Sequence, residues 1–463
     1  MDRRRSLISF IRQIPDEIWL QIIRCANPSG HGVDISFPEI LTPRALAQTC
    51  SRLRNLVCQS PTIWSTIFID LSFLQESHAP LLQWILNITR NTPLTLRIDR
   101  SDEMAVHVSD VSPPLRRVLA QALAQTEDLH VDYDLIMHIN FEVDLPCPEL
   151  QRLSISYVHR PSPPPTHYSY RQLHALLHAP QLAHLTLDDL SWLAGDPIIP
   201  QTGLRSLHCG IRPEETTLSA LSEQFPSLRS LNILTSHATS GEHLQDVTFA
   251  YLQKLTVTWD DSSGSPILDY ITAPLLLDLE LGFSWSSSGP SSIVSFFQRS
   301  ACPLQILRIH IPLALAWEVG DGWHSLLVVL PTLQQLHLRV TPSSEDGLSL
   351  CQLLTLRPMH PVTLPNLTEL HVEIQKREWD QDSHTDVVRC VEALLTLSES
   401  RCSRSTFIPT PLRYLTLVTT LIPNPWGVAP YPPPNHTYPP VIHERIQLLM
   451  ESGIECTTHL DFT

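Results

Sequence analysis

The segment Pro226-Ser-Leu228-Arg-Ser-Leu231-Asn-Ile233 decides the fold. A proline stands two residues before a leucine, and further apolar residues follow three and five positions after that leucine. From Leu231 onward, apolar and polar residues alternate, which predicts a short β-strand with its apolar side chains in one core. One such unit cannot bury its own apolar face, so the motif predicts a stack of similar units.

The motif recurs along most of the chain. Its lead leucines are Leu150, Leu182, Leu204, Leu228, Leu252, Leu276, Leu304, Leu333, Leu367 and Leu412, and a proline precedes all of them except Leu204 and Leu252. Neighbouring lead leucines are 22 to 45 residues apart. This spacing is close to the roughly 20–29 residues of a leucine-rich repeat, with insertions toward the C-terminal end.

Segments with helical spacing lie between the copies, for example 170–177, 218–225 and 293–297. Each unit is therefore predicted to run helix, proline, strand. The fold class that follows is an α/β solenoid, with a parallel sheet on the concave face and helices on the convex face. The competing interpretation is an irregular leucine-rich α/β protein in which the motif arises by chance.

Composition agrees with the repeat and excludes several function classes. The chain has 463 residues, with 40 prolines and 14 glycines. A proline before each strand ends the preceding helix and favours an extended backbone. No glycine-rich phosphate loop occurs. The net charge of −16 opposes binding to nucleic acid or to an anionic membrane.

The remaining composition predicts an intracellular, non-catalytic protein, cytoplasmic or nuclear. The ten cysteines form no C-x-x-C pair, so reduced and mostly buried thiols are expected. The basic start at Met1 precedes too short an apolar run for a secretory signal, and no stretch is apolar enough to span a membrane. The His174/His178 pair lacks the acidic residue of a zinc motif, and no nucleophile elbow occurs, so we expect no cofactor, metal or catalytic residue.

The first seventy residues are helical instead. Ile14, Ile18 and Ile22 recur every four residues, which predicts an amphipathic helix starting near Pro15. Thr42-Pro43 and Ser60-Pro61 are further helix starts.

These residues resemble a known family. Three segments are similar to an F-box: Ile14-Pro15-Asp16-Glu17-Ile18-Trp19-Leu20-Gln21-Ile22-Ile23, Thr49-Cys50-Ser51-Arg52-Leu53-Arg54-Asn55-Leu56-Val57 and Ser60-Pro61-Thr62-Ile63-Trp64. Together with the repeats, the chain resembles the F-box/leucine-rich-repeat proteins, in the style abundant in mushroom-forming fungi. The resemblance implies a substrate receptor of an SCF-type (Skp–cullin–F-box) ubiquitin ligase. Its partners would be a Skp-type adaptor, through it a cullin scaffold, and an unknown protein substrate.

Two sets of candidate site residues follow. The resemblance and the apolar stripe together give an adaptor-binding set, for which plain intradomain core is an equal alternative: Ile14, Pro15, Ile18, Ile22, Leu46, Cys50, Leu53 and Leu56. Trp64 is expected to pack within the chain, where the F-box joins the repeats. Polar and aromatic residues between the leucines give a candidate target-binding set: His184, Arg205, Asn232, Trp259 and Gln335.

The predicted organisation has six parts. They are an N-terminal tail (1–9), the F-box (10–70), a connecting segment with the first irregular repeats (71–125), the solenoid (126–422), a proline-rich loop (423–440) and a capping helix and strand (441–463). Two alternatives to the ligase function stay open. The first is a repeat scaffold whose N-terminal helices only cap the solenoid, and the second is an enzyme hidden in a degenerate repeat domain.

Overall fold

The structure is a computed structural model. It describes residues 14–25, 33–36, 42–99, 111–132, 147–156, 175–188, 203–211, 218–235, 246–259, 267–282, 290–311, 321–340, 351, 354–355, 363–377, 383–402, 411–422 and 439–459. The chain divides into two compact units, Met1–Asp188 and Asp189–Thr463, called unit 1 and unit 2 below. Both units are α/β, and each contains a parallel sheet that resembles that of a leucine-rich-repeat solenoid.

Unit 1 begins with helices and continues into a sheet. Its helices are α1 (Asp16–Cys25), α2 (Thr42–Thr49), α3 (Ser51–Gln59), α4 (Ala79–Thr89) and α5 (Pro113–Ala124), with short 3-10 turns at Pro61–Ile63 and Glu76–His78. Its strands are β1 (Val33–Asp34), β2 (Thr66–Asp70), β3 (Leu94–Asp99), β4 (Thr126–Asp132), β5 (Arg152–Ser156) and β6 (His184–Leu187). They pair in parallel in chain order.

Unit 2 continues the alternation of strand and connection. Its strands are β7 (Ser206–Ile211), β8 (Ser230–Thr235), β9 (Val247–Thr248), β10 (Lys254–Trp259), β11 (Ile271–Thr272), β12 (Asp278–Gly282), β13 (Ile306–Ile311), β14 (Gln335–Val340), β15 (Glu369–Arg377), β16 (Tyr414–Ile422) and β17 (Glu455–His459). Its helices are α6 (Leu218–Gln224), α7 (Ile267–Tyr270), α8 (Pro290–Ser300), α9 (Asp321–Val328), α10 (Ser383–Cys402) and α11 (Pro440–Glu451). Strands β9 and β11 pair with each other, and the other strands form one parallel sheet in chain order.

The register of unit 2 stacks equivalent leucines. Leu255, Leu279, Leu307 and Leu336 pair in sequence across four neighbouring strands, and all four are buried. Burial of each such side chain contributes about 1.5–3 kcal/mol, which explains why the leucine positions of the motif tolerate so little variation in this chain. Within each strand, the residues that alternate with the buried apolar ones point to the opposite, polar face of the sheet, called the outward face below.

The prolines have a more specific role than ending helices. The backbone N–H of Leu228 donates to the carbonyl of Phe225 (3.2 Å), and Leu276 and Leu333 make the same bond three residues back. The proline two residues before each of these three leucines therefore occupies the second position of a β-turn, where its fixed φ fits. The next residue donates to the preceding repeat, as Arg229 N–H does to Arg205 O at 2.8 Å, so the turn also starts the ladder between repeats.

Several predicted elements can be compared with the structure. Helices are present at Leu218–Gln224 and Pro290–Ser300, and the described end of segment 170–177 is helical at residues 175–177. The range predicted as the F-box, 10–70, also contains β1 and β2. Helix α11 and strand β17 lie where a capping helix and strand are predicted. The predicted tail 1–9 and residues 423–438 of the proline-rich loop lie outside the described residues.

Candidate functional site

An apolar stripe on α1 is open to solvent. Ile18 and Ile22 are 46% and 42% exposed, and Pro15, three residues before Ile18, is exposed as well. Residues three and four apart share one face of a helix, so the three side chains form a single surface, called the α1 stripe below. Ile23, on another side of α1, is buried and anchors the helix.

Arg52, in the first turn of α3, holds the start of α1. Its Nη2 donates to the backbone carbonyl of Ile14 at 2.8 Å, and its Nε donates to Oδ1 of Asp16 at 3.0 Å. Asp16 also lies in the first turn of α1, where the helix dipole favours an anion. This double contact fixes the orientation of α1 relative to α3, and with it the direction of the α1 stripe.

The predicted adaptor-binding residues divide into surface and core. Cys50 is exposed together with the α1 stripe, whereas Ile14, Leu46 and Leu56 are half-buried. Leu53 is only 5% exposed and belongs to the core of the helical segment, which is the alternative left open for this residue beside adaptor contact. Leu53 lies four residues before Val57, which is also buried, and this helical spacing places both on the inner face of α3.

Trp64 joins the helical segment to the first repeats, as expected for a residue that packs within the chain. It is fully buried, and its Nε1–H donates to the Val57 carbonyl of α3 at 2.9 Å. Its ring meets Trp84 of α4 edge to face, with ring centroids 5.0 Å apart. A buried indole needs such a partner for its N–H, and here α3 supplies it.

The segment between α1 and α2 forms a second link from the helices to the sheet of unit 1. Strand β1 lies in this segment and pairs in parallel with β2, with Val33 opposite Ile67. Beyond it, Ser36 Oγ donates to the Asp70 carbonyl at 3.1 Å and accepts the Asp70 N–H. The segment between the first two helices therefore extends the sheet of unit 1 by one strand.

The outward face of unit 2 carries a band of charged and imidazole side chains. They are Asp278 and Glu280 on β12, Arg308 and His310 on β13, His337 and Arg339 on β14, and Glu369, His371 and Glu373 on β15. The register places Glu280, Arg308, His337 and His371 side by side on successive strands. His310, Arg339 and Glu373 form a parallel row two residues further along.

The arginines of this band are paired with carboxylates on the outer strands. Arg308 Nη1 donates to Asp278 Oδ1, and Arg339 Nε donates to Glu373 Oε2 at 2.7 Å. His310 Nε2 lies 3.2 Å from Glu280 Oε1. Each of these pairs bridges two repeats, so the band also ties the strands of the sheet together, although half-exposed pairs contribute little stability individually.

His337 lies at the centre of the band. Its ring stacks on His371, with ring centroids 4.2 Å apart and an angle of 13° between the planes. Burial, and then the nearby His371 and Arg308, lower the pKa of His337 to about 4, so its imidazole is neutral at pH 7. His337 Nε2 and His310 Nδ1 are buried and have no hydrogen-bond partner within the described residues.

The predicted target-binding residues are dispersed. Asn232 on β8 and Gln335 on β14 lie on the outward face of unit 2, half-buried, but β10, β12 and β13 separate their strands. Strand spacings of about 4.8 Å put them roughly 19 Å apart, so they do not form one site. Exposed Arg205 precedes β7, exposed His184 is in unit 1, and the Trp259 side chain lies outside the described residues.

Reasoning from sequence missed the charged band, although a signal for it exists. The residue between the two strand apolar positions is Glu280, Arg308, His337 and His371 in four successive copies of the motif. Comparison of this one position across the copies predicts a charged row. The pairing of Arg308 with Asp278, by contrast, needs the register of two strands and cannot be read from one copy.

Unit 1 has a smaller charged group on its own sheet. The Arg97 guanidinium on β3 lies 5.2 Å from the centre of the Phe68 ring on β2, and its Nε donates to Asp99 at 2.6 Å. On the neighbouring strands, Arg152 Nε donates to Asp128 Oδ2 at 3.0 Å. Burial lowers the pKa of His130, which lies between these pairs.

The chemistry of reactive groups is limited in the described part of the chain. Burial raises the pKa of the Cys147 and Cys302 thiols to about 11, so both are protonated at neutral pH. Among the described residues, no group of three or more His, Cys, Asp or Glu side chains is arranged to hold a metal ion. The described helices include none that is both long and apolar enough to cross a bilayer.

Comparisons with known proteins give little further information. No protein-family model matches the sequence, and no curated protein matches it. One similar solved structure is the leucine-rich-repeat ectodomain of the plant membrane receptor kinase GASSHO1/SCHENGEN3 from Arabidopsis thaliana, in complex with CASPARIAN STRIP INTEGRITY FACTOR 2. The match has 13% sequence identity and a TM-score of 0.22, and covers 78% of this chain but only 37% of the other.

Proposed function

We propose that the protein is a non-catalytic, intracellular substrate-recognition subunit of an SCF-type ubiquitin ligase. The observation that carries the proposal is the α1 stripe, because Ile18 and Ile22 stand at the positions where the sequence resembles an F-box. Two isoleucines nearly half exposed on one helix face make an apolar surface suited to a partner helix. A Skp-type adaptor would cover it and connect the chain to a cullin.

The repeats supply the second half of the proposed function. A stack of parallel strands presents a broad face built from one or two side chains per repeat, which suits a protein target more than a small molecule. In this proposal the outward face of unit 2, with its charged band, holds the target. The α1 stripe and this face use different residues, so adaptor and target binding can be tested separately.

Adaptor capture tests the proposal directly. Wild-type protein co-expressed with a Skp-type adaptor should co-purify with it, and the double variant Ile18→Asp, Ile22→Asp should not. Both side chains are exposed, so the variant is expected to fold, whereas a charge at buried Leu53 would disturb the core. Leu448→Asp on α11, also exposed, is the matched control and should keep the adaptor. If the wild-type protein does not capture the adaptor, the proposed role in a ubiquitin ligase is wrong.

A second candidate function is a repeat scaffold whose N-terminal helices only cap the sheet. Strand β1 favours it, because a segment between α1 and α2 pairs with β2 and covers the sheet edge of unit 1. In that case no adaptor is captured, and Ile18→Asp, Ile22→Asp changes neither stability nor binding of a target. Retention of the target by the double variant after loss of the adaptor supports the ligase receptor instead.

A further inference from the structure

Two neighbouring strands of unit 2 oppose basic side chains directly. Arg308 on β13 is the register partner of His337 on β14, and His310 on β13 is the partner of Arg339. Partners in a parallel pair lie about 4.8 Å apart, so each arginine of this pair of strands has an imidazole, rather than a carboxylate, directly opposite it. These four residues are called the basic seam below. The acidic residues that balance it come from the outer strands β12 and β15, rather than from within the seam.

The seam keeps unused donors. Arg308 donates through Nη1 and Arg339 through Nε, so in the described residues each guanidinium has further N–H groups that make no protein hydrogen bond. Among the residues that the structure describes, the buried ring atoms Nε2 of His337 and Nδ1 of His310 have no hydrogen-bond partner. Burial is the largest cause of the lowered pKa of His337; His371, Arg308 and His310 lower it further, and Asp278 raises it. Buried polar nitrogens left unpaired in an otherwise consistent repeat are typical of a binding site.

We infer that the basic seam of β13 and β14 binds an oxyanion, a carboxylate or phosphate carried by the protein target. The inference rests on the proposed function only in naming the target as the carrier. An oxyanion between Arg308 and Arg339 accepts their free N–H groups in charge-assisted hydrogen bonds. It also supplies an acceptor for the N–H groups of the seam imidazoles. The surrounding carboxylates Asp278, Glu280 and Glu373 exclude longer acidic stretches, so the site takes one anionic group rather than a polyanion.

A negative charge introduced into the basic seam by substitution tests the electrostatic potential of the site without any ligand. Glu and Gln have nearly the same shape, so the difference between His337→Glu and His337→Gln isolates the charge. If the seam favours an anion, the Glu variant melts several degrees above the Gln variant at low salt, and the gap narrows as salt screens it. An equal or lower melting temperature for the Glu variant overturns the inference.

Binding itself is measured with small probes on the full chain. Capped phosphoserine and capped glutamate are titrated at low millimolar concentration while the ring Cε1–Hε1 signals of His337 and His371 are followed by NMR. Capped serine and capped glutamine are the uncharged controls. Movement with phosphoserine alone identifies a phosphate source, and movement with glutamate identifies a carboxylate. Absence of movement with both, or equal movement with the uncharged probes, overturns the inference.

The site is located by the variants. The His371 signal of His337→Glu should no longer respond, because the built-in carboxylate occupies the seam, while His459→Gln on β17 should respond as wild type does. A response that survives in His337→Glu places binding elsewhere and overturns the inference. These measurements use no adaptor, so failure of adaptor capture through α1 and failure of the seam are separate results.

Discussion

At the scale of single residues, Arg401 near the end of α10 is a buried cation that serves the backbone. It is 1% exposed, and its guanidinium donates to the carbonyls of Leu354, Thr363 and Leu364 at 2.7 to 3.2 Å. Leu364 has a φ of 51°, a left-handed conformation that costs about 1 kcal/mol for a non-glycine residue. Burial lowers the pKa of Arg401 to about 10, so it still carries its charge at pH 7.

Replacement of this arginine should therefore be costly. Arg401→Met removes the guanidinium donors from three backbone carbonyls, although it also removes a desolvated charge, and we expect a loss of about 2–4 kcal/mol in the free energy of unfolding. Urea denaturation measures it. Arg389→Met, at an exposed position of the same helix, should cost well under about 1 kcal/mol. Equal losses for the two variants would show that the carbonyl contacts at Arg401 are not what stabilises this region.

His337 makes the folded state sensitive to acid. Its pKa is about 4 in the folded chain and near 6.5 in an unfolded one, so below pH 6.5 the unfolded chain binds a proton that the folded chain does not. The contribution of His337 to the free energy of unfolding is therefore fully present above pH 6.5 and declines as the pH falls toward 4. We expect His337→Gln to lose less stability than wild type between pH 7 and pH 5. Urea unfolding of both proteins at the two pH values measures this difference, and parallel losses would contradict it.

At the scale of elements, a proline-containing turn precedes several of the strands, and the turn before β10 lacks the proline. Ala250 occupies the position held by Pro226 and Pro274 in the neighbouring repeats, and the Leu252 N–H still donates to Phe249 O at 3.4 Å. Ala250→Pro should fit this turn and restrict the unfolded chain, raising the free energy of unfolding by about 0.4–1 kcal/mol. Thermal unfolding measures it. Pro226→Ala should lower stability by a similar amount, and a destabilised Ala250→Pro would show that the Ala250 turn differs from its neighbours.

The same comparison of elements shows what the sequence could predict. The strands and their buried leucines follow from one motif, because Leu279 and Leu307 each stand three residues after the lead leucine of their own copy. Strand β1 does not follow, since Val33–Asp34 has only two residues and its pairing with β2 depends on tertiary context. For the same reason the surface position of Ile18 and the core position of Leu53 could not be separated by helical spacing alone. The basic seam depends on register between β13 and β14, which no single segment contains.

At the scale of the whole molecule, stability should be distributed along the chain. Each repeat pairs with its neighbours in the sheet, as Leu370 of β15 does with Leu336 before it and Leu415 after it. Such a stack behaves nearly as a one-dimensional array, in which each interface adds its own share and an exposed end is costly. At the C-terminal end of unit 2, α11 and β17 provide this cover through buried Ile442, Ile446, Leu449 and Ile454.

Removal of that cover should loosen unit 2 from one end. A chain truncated before Pro439 loses α11 and β17, and each buried side chain of the cover is worth about 1.5–3 kcal/mol of burial. Because coupling runs between neighbours, hydrogen exchange should rise most in β16, less in β15 and least in β7. Full-length Leu448→Ser, changed at a residue that is 61% exposed on the same helix, should keep wild-type protection. Uniform loss of protection across unit 2 would mean that it unfolds as one cooperative block, and unchanged protection in β16 would mean that the stack needs no cover at this end.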